Sequence, residues 1–256
     1  MTTRAINHYA LIAGLALAAL PVSGSAADAM IQFLEARVQE DPLDFTAQNR
    51  LADSYIKSMR ETGDLAYLDR AATAARASLD AVPAAQNPGG LAELAIVEFE
   101  SHHFADALKL AQRSYDIDPL NMSALATTGD AQLELGNYTE ARVVYAKLAE
   151  TSAAPPILAR QARLAELQGD NQKAIELLSR AATEGVWFRV RLGELYFRTG
   201  DLEKAEVQYQ AALQQMPDSF LALEHLAELR AVQTQYNEAV ALYQKVSARV
   251  PRAEFF

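Results

Sequence analysis

The side chains that usually carry chemistry are sparse in this sequence. The chain has no cysteine, which excludes disulfide staples, thiolate metal sites and thiol nucleophiles. Beyond the N-terminal segment only His102, His103 and His225 remain. His102 and His103 are adjacent in a turn-forming stretch, and neighbouring residues cannot supply the i,i+4 pair of a helical metal site, so they read as solvated turn residues. His225 lies between Glu224 and Glu228 with no nucleophile partner in view, and reads as a structural or surface group. The carboxylate pairs Glu98/Glu100, Glu203/Glu206 and Glu224/Glu228 have the spacing of solvated helix faces. There is no glycine-rich phosphate loop, no Gly-x-Ser-x-Gly elbow and no His-Glu-x-x-His, and Asn87-Pro88-Gly89-Gly90 is a turn. The sequence supports no catalytic reaction and implies neither metal nor cofactor.

The elements that hold the remaining side chains are helical. Of 256 residues, half are apolar and only 11 are glycine, while alanine is abundant, a composition that favours helices over sheets. Lys+Arg of 23 against Asp+Glu of 33 leaves a net charge of −10, which argues against a phosphate-neutralising surface and hence against nucleic acid as partner. Arg4, the apolar run Ala10 to Leu20 and the small residues Ser23-Gly24-Ser25-Ala26-Ala27 have the order of a cleavable secretory signal over residues 1–27. The run is too short for a stable membrane span, so a secreted or periplasmic protein is expected after cleavage near Ala27–Asp28.

The rest of the chain repeats itself. Gly136-Asn137-Tyr138-Thr139-Glu140-Ala141 returns as Gly169-Asp170 before Ala174 and as Gly200-Asp201 before Ala205, with degenerate copies ending at Ala107 and Ala239. Those alanines are 34, 33, 31 and 34 residues apart. Leu192-Gly193-x-x-Tyr196, Ala205, Tyr209, Ala212 and Pro217 form a second agreeing register. The pattern resembles the tetratricopeptide repeat, a helix–turn–helix unit of about 34 residues. Small residues on the first helix (Ala95, Gly129, Ala162, Gly193, Ala227) face small residues on the second (Ala107, Ala141, Ala174, Ala205, Ala239), which lets the helices approach closely. Tyr145, Leu178, Tyr209 and Tyr243 are expected to fill the gap to the next pair. Fold class is therefore all-α, an α–α superhelix of about six repeats at 45–87, 88–121, 122–154, 155–185, 186–219 and 220–253, with residues 28–44 as a capping helix and 45–256 as the repeat domain. Repeat one carries seven extra residues around Glu61-Thr62-Gly63-Asp64, and a longer first helix and a longer turn are expected there.

The resemblance implies a concave face lined by first helices. Its ligand-facing offsets fall on Thr46, Asn49, Arg50, Asp53 and Lys57 in repeat one, on Thr127, Asp130 and Glu134 in repeat three, and on Arg160, Arg163 and Glu166 in repeat four. Repeat five supplies Trp187, Arg191, Glu194, Phe197 and Arg198, and repeat six Glu224, His225 and Glu228. The candidate ligand groove is thus Arg160, Arg163, Trp187, Arg191, Glu194, Phe197 and Arg198: arginine forks for carboxylates, with aromatic rings beside them. The alternative at the same positions is that the arginines pair with Glu166 and Glu194, and that Trp187 is buried by packing because Arg189 occupies a slot usually apolar. The lysine–asparagine clamp with which family members hold chaperone tails is not reproduced, since Asn49 and Asp53 stand in its place. The resemblance implies a non-catalytic scaffold for a protein or peptide partner. A scaffold of polysaccharide or lipopolysaccharide export and an accessory subunit of an envelope enzyme are the alternatives. The last helix is expected to leave Val240, Tyr243 and Val246 partly uncovered beside Phe255 and Phe256, the mark either of a truncated chain or of an apolar end that meets a partner or a second copy in a homodimer.

Overall fold

The computed structural model describes residues 26–249, so residues 1–25 of the expected signal and the tail at 250–256 lie outside the described residues. Thirteen α-helices and two short 3-10 turns make up the described chain, with no strand among them. Helix α1 (Ala26–Glu40) begins just ahead of the expected cleavage point and packs on α2. Six antiparallel pairs follow: α2 (Phe45–Thr62) with α3 (Ala66–Ala81), α4 (Pro88–Glu100) with α5 (Phe104–Ile117), α6 (Met122–Glu134) with α7 (Tyr138–Thr151), α8 (Pro155–Leu167) with α9 (Asn171–Ala181), α10 (Val186–Arg198) with α11 (Leu202–Gln215), and α12 (Phe220–Val232) with α13 (Tyr236–Arg249). Among the described residues no helix is long and apolar enough to cross a membrane.

Small residues hold each pair together. Ala95, Ala107, Ala141, Ala162, Ala174, Ala205 and Ala227 are fully buried where the two helices cross. Gly129 and Gly193 go further, because a Cβ at either would meet the ring of Tyr145 or Tyr209 at 2.6 or 2.4 Å. Tyr145 and Tyr209 are buried as expected, and each joins a core cluster with residues of the following repeat, such as Leu164 and Leu226. Tyr243 is only half-buried.

Every pair is joined by a three-residue turn that contains one residue at positive φ, the first of the three in the first pair and the middle one in the other five. Gly63, Gly136, Gly169 and Gly200 take that position without cost from a side chain, whereas His102 (φ 61°) and Thr234 (φ 63°) are forced into it. Asp170 and Asp201 then cap the next helix by accepting from the backbone N–H groups of Lys173 and Lys204. Asn137 departs from that role: its side-chain amide donates to Gln132 instead.

The extra length of repeat one differs from expectation. Helix α2 has 18 residues against 13 in each later first helix, and α3 has 16 against 14 in α5. Those five and two residues account for all seven, and the turn keeps its three residues. The C-terminal end also differs. Val246 is completely buried against Phe220 and Leu223, because α12 and α13 form their own small core, while Val240 stays 55% exposed.

Candidate functional site

A groove of about 1140 Å³ runs along the concave face, lined by first-helix residues from all six pairs. Lys57, Arg60 and Leu65 border it from the first pair, Phe99 and Glu100 from the second, Leu133 and Glu134 from the third. Arg160 and Arg163 on α8, Trp187, Phe188 and Arg191 on α10, and Leu221 on α12 continue it. The elongated α2 therefore contributes its additional turn to the groove rather than to the outside.

The arginines, alike in sequence, are put to different uses. Arg160 is committed to Asp130 of the preceding repeat, with Nε at 2.8 Å from Oδ1 and Nη2 at 2.7 Å from Oδ2. The Tyr145 hydroxyl donates to the same Asp130 Oδ1 at 2.9 Å. Burial opposes the guanidinium charge, but Asp130 outweighs it and raises the Arg160 pKa further; burial and then Asp130 push up that of Tyr145. This trio locks repeat three to repeat four and has little left for a ligand.

Arg163, Arg191 and Arg198 converge on one carboxylate. Glu166 is 5% exposed at its side chain; Arg198 donates to its Oε2, while the nearest nitrogens of Arg163 and Arg191 stand 3.7 Å from it, beyond hydrogen-bond distance. Glu166 Oε1 is shielded from solvent without a hydrogen-bond partner. Arg191 also donates to Glu194, whose other oxygen lies 2.7 Å from His225 Nε2. Burial lowers the Arg191 pKa, Glu166 partly offsets this, and the like charges of Arg198 and Arg163 lower it again. His225 stacks on Tyr209 with ring centroids 5.7 Å apart, and burial lowers its pKa despite the neighbouring carboxylates.

Of the seven expected groove residues, Arg160, Arg163, Trp187 and Arg191 line the groove together. Trp187 is half-exposed, edge-on to Phe188 at 5.1 Å, so packing does not bury it. Arg189, in the slot usually apolar, has its Nε shielded without a partner. Glu194 lies behind Arg191, Arg198 reaches in to Glu166, and Phe197 turns into the core formed with α11 and α12. The ion pairs expected as the alternative also form, with three arginines sharing Glu166.

One residue escaped sequence reading. Glu93 on α4 has its Oε2 shielded from solvent with no hydrogen-bond partner, and burial, helped by Asp53, raises its pKa to about 7. Its signal was available, since it lies seven residues, two helical turns, before the groove residue Glu100. The turn histidines are exposed; His103 Nδ1 is 2.8 Å from Glu98, and among the described residues no three His, Asp or Glu side chains converge as a metal site would require.

Family models of the tetratricopeptide repeat match residues 93–156 and 165–219. No curated protein matches the chain. Among solved structures, the thermophilic tetratricopeptide repeat protein TTC0263 of Thermus thermophilus is 22% identical, with 77% of this chain and 99% of that one aligned at a TM-score of 0.62. A tetratricopeptide repeat protein from Parabacteroides merdae is 16% identical over 89% of this chain and 88% of its own, TM-score 0.66. The Cut9–Hcn1 structure is 13% identical over 90% of this chain but only 44% of that one, TM-score 0.65. The periodic small residues, the three-residue turns and the stacked pairs are thus those of a chain that carries tetratricopeptide repeats in an all-α superhelix.

Proposed function

We propose that the concave groove receives an extended segment of a partner protein and that the chain acts as a non-catalytic scaffold. The observation that carries this reading is a continuous groove in which Arg163 hydrogen-bonds no carboxylate and Arg191 holds only Glu194, beside the half-exposed Trp187. Arginine forks recognise carboxylates bidentately, and an exposed indole supplies rigid apolar area, so the pair suits an acidic, apolar-flanked peptide. The Cut9–Hcn1 structure is a hetero-tetramer, an assembly of the general kind proposed. The secretory pattern of residues 1–27 supports a secreted or periplasmic setting, which sequencing the N-terminus of the exported protein would test.

Cross-linking in the native compartment should capture a partner, and the double substitution Arg163→Ala and Arg191→Ala should weaken its binding. Both side chains are partly exposed, so far-UV circular dichroism should keep its helical form, and loss of the Arg191 bond to Glu194 should lower the melting temperature by only a few degrees, roughly the effect of 1 kcal/mol. Undiminished affinity would remove the groove from the account.

A further inference from the structure

The charge of the groove changes sign along its length. In the first two pairs Glu61 and Glu100 line the groove beside Lys57 and Arg60, and Glu134 of the third pair adds a further negative charge. Lys57 is already paired with Asp53 at 2.7 Å and Arg60 with Glu100 at 2.5 Å, which leaves Glu61 and Glu134 in excess. Asp130 and Arg160 cancel one another midway. Beyond them Arg163, Arg191 and Arg198 share Glu166, and Glu194 is divided between Arg191 and His225, so positive charge is in excess. At the positive end Glu166 has three guanidinium groups around its carboxylate, yet its Oε1 accepts no hydrogen bond.

We infer that the occupant is a peptide segment with segregated charge, its basic block lying over repeats one to three and its acidic block over repeats four and five. This rests on the peptide-binding reading above and names the chemistry of the partner. A lysine or arginine of the ligand beside Glu61 and Glu134 supplies the counter-charge at the negative end. A carboxylate between Arg163 and Arg191 gains a forked contact that Glu166 does not complete. Trp187, Phe188 and Leu221 at the positive end take an apolar residue next to the acidic block. A uniformly acidic segment would meet Glu61, Glu100 and Glu134 over half its length, and a uniformly basic one would meet the arginines over the other half.

The test uses two fluorescein-labelled synthetic peptides of identical length and composition, measured by anisotropy against the whole protein. One carries lysines, then leucine and phenylalanine, then aspartates; the other alternates lysine and aspartate around the same apolar pair. The block peptide should bind on the order of tenfold more tightly, and the advantage should shrink as salt rises. Glu61→Gln with Glu134→Gln should erase the advantage from one end, and Arg163→Ala with Arg191→Ala from the other. Equal binding of the two peptides would overturn the segregated-charge inference and leave peptide binding standing. Binding of neither would overturn both.

Discussion

Gly193 gives the sharpest test of how the repeats are packed. A methyl group at this position would lie 2.4 Å from Cε1, 2.8 Å from Cδ1 and 3.1 Å from Cζ of Tyr209, where carbon atoms prefer about 3.5–4.0 Å. The ring would have to retreat by roughly 1 Å, yet Tyr209 is 1% exposed and held between α10 and α12. Overpacking of this kind costs about 1–3 kcal/mol. Against it, alanine favours an interior helical position over glycine by about 1 kcal/mol, so Gly193→Ala should be mildly destabilising. The repeats contain the remedy: sixteen positions separate Gly193 from Tyr209, Gly129 from Tyr145, and Ala162 from Leu178, so alanine occurs opposite a buried leucine, while Ala227 stands opposite Tyr243, whose ring is only half-buried. Tyr209→Leu alone opens a void in the core, which the methyl group added by Gly193→Ala then partly fills. The double substitution should therefore be more stable than the sum of the two single effects by about 1–3 kcal/mol. Urea unfolding followed by circular dichroism measures the whole superhelix, and the single tryptophan, Trp187, reports from α10 itself, six residues before Gly193. Additivity of the two changes within about 0.5 kcal/mol would refute the proposed contact.

Thr234→Gly should stabilise the last pair by up to about 1 kcal/mol, as a β-branched residue leaves positive φ, and His102→Gly should gain less; unchanged urea midpoints for both would show that these turns carry no strain. Glu93 keeps its proton to about pH 7 when folded but releases it near 4.5 when unfolded, so the folded state holds the extra proton and its contribution to stability is lost as pH rises through that window. Glu93→Gln should accordingly match the parent near pH 4 and exceed it above pH 7, by an amount on the order of 3 kcal/mol, and equal urea midpoints at both pH values would contradict the burial. A dimer through α13 would use the exposed Val240 rather than the buried Val246, so sedimentation across a concentration range should show an association that Val240→Glu abolishes; a monomer at every concentration would end the dimer proposal.

By itself the sequence determined the architecture of this protein. Alanine or glycine recurring at the helix crossings, and Gly-Asp or Gly-Asn at the turns, are local requirements, and each repeat satisfies them with residues close in the chain. Even the seven additional residues of repeat one were countable. Only the folded chain decided that they lengthen two helices and leave the turn alone, because a three-residue turn with one positive φ sets the angle between any pair. The groove needed tertiary structure for a related reason. Arg160 and Arg163 sit one turn apart on α8, and nothing local distinguishes them; Asp130, thirty residues away, takes up the first, while the second meets a carboxylate already shared. Phe197 occupies a ligand-facing offset, yet the crossing of α10 with α11 and α12 turns it into the core. Glu93 gained its perturbed carboxyl from burial and from Asp53 on another helix. Helix formation and turn geometry are settled within a repeat, but charge and exposure depend on which side chains neighbouring repeats bring alongside, and that is fixed only when the repeats stack.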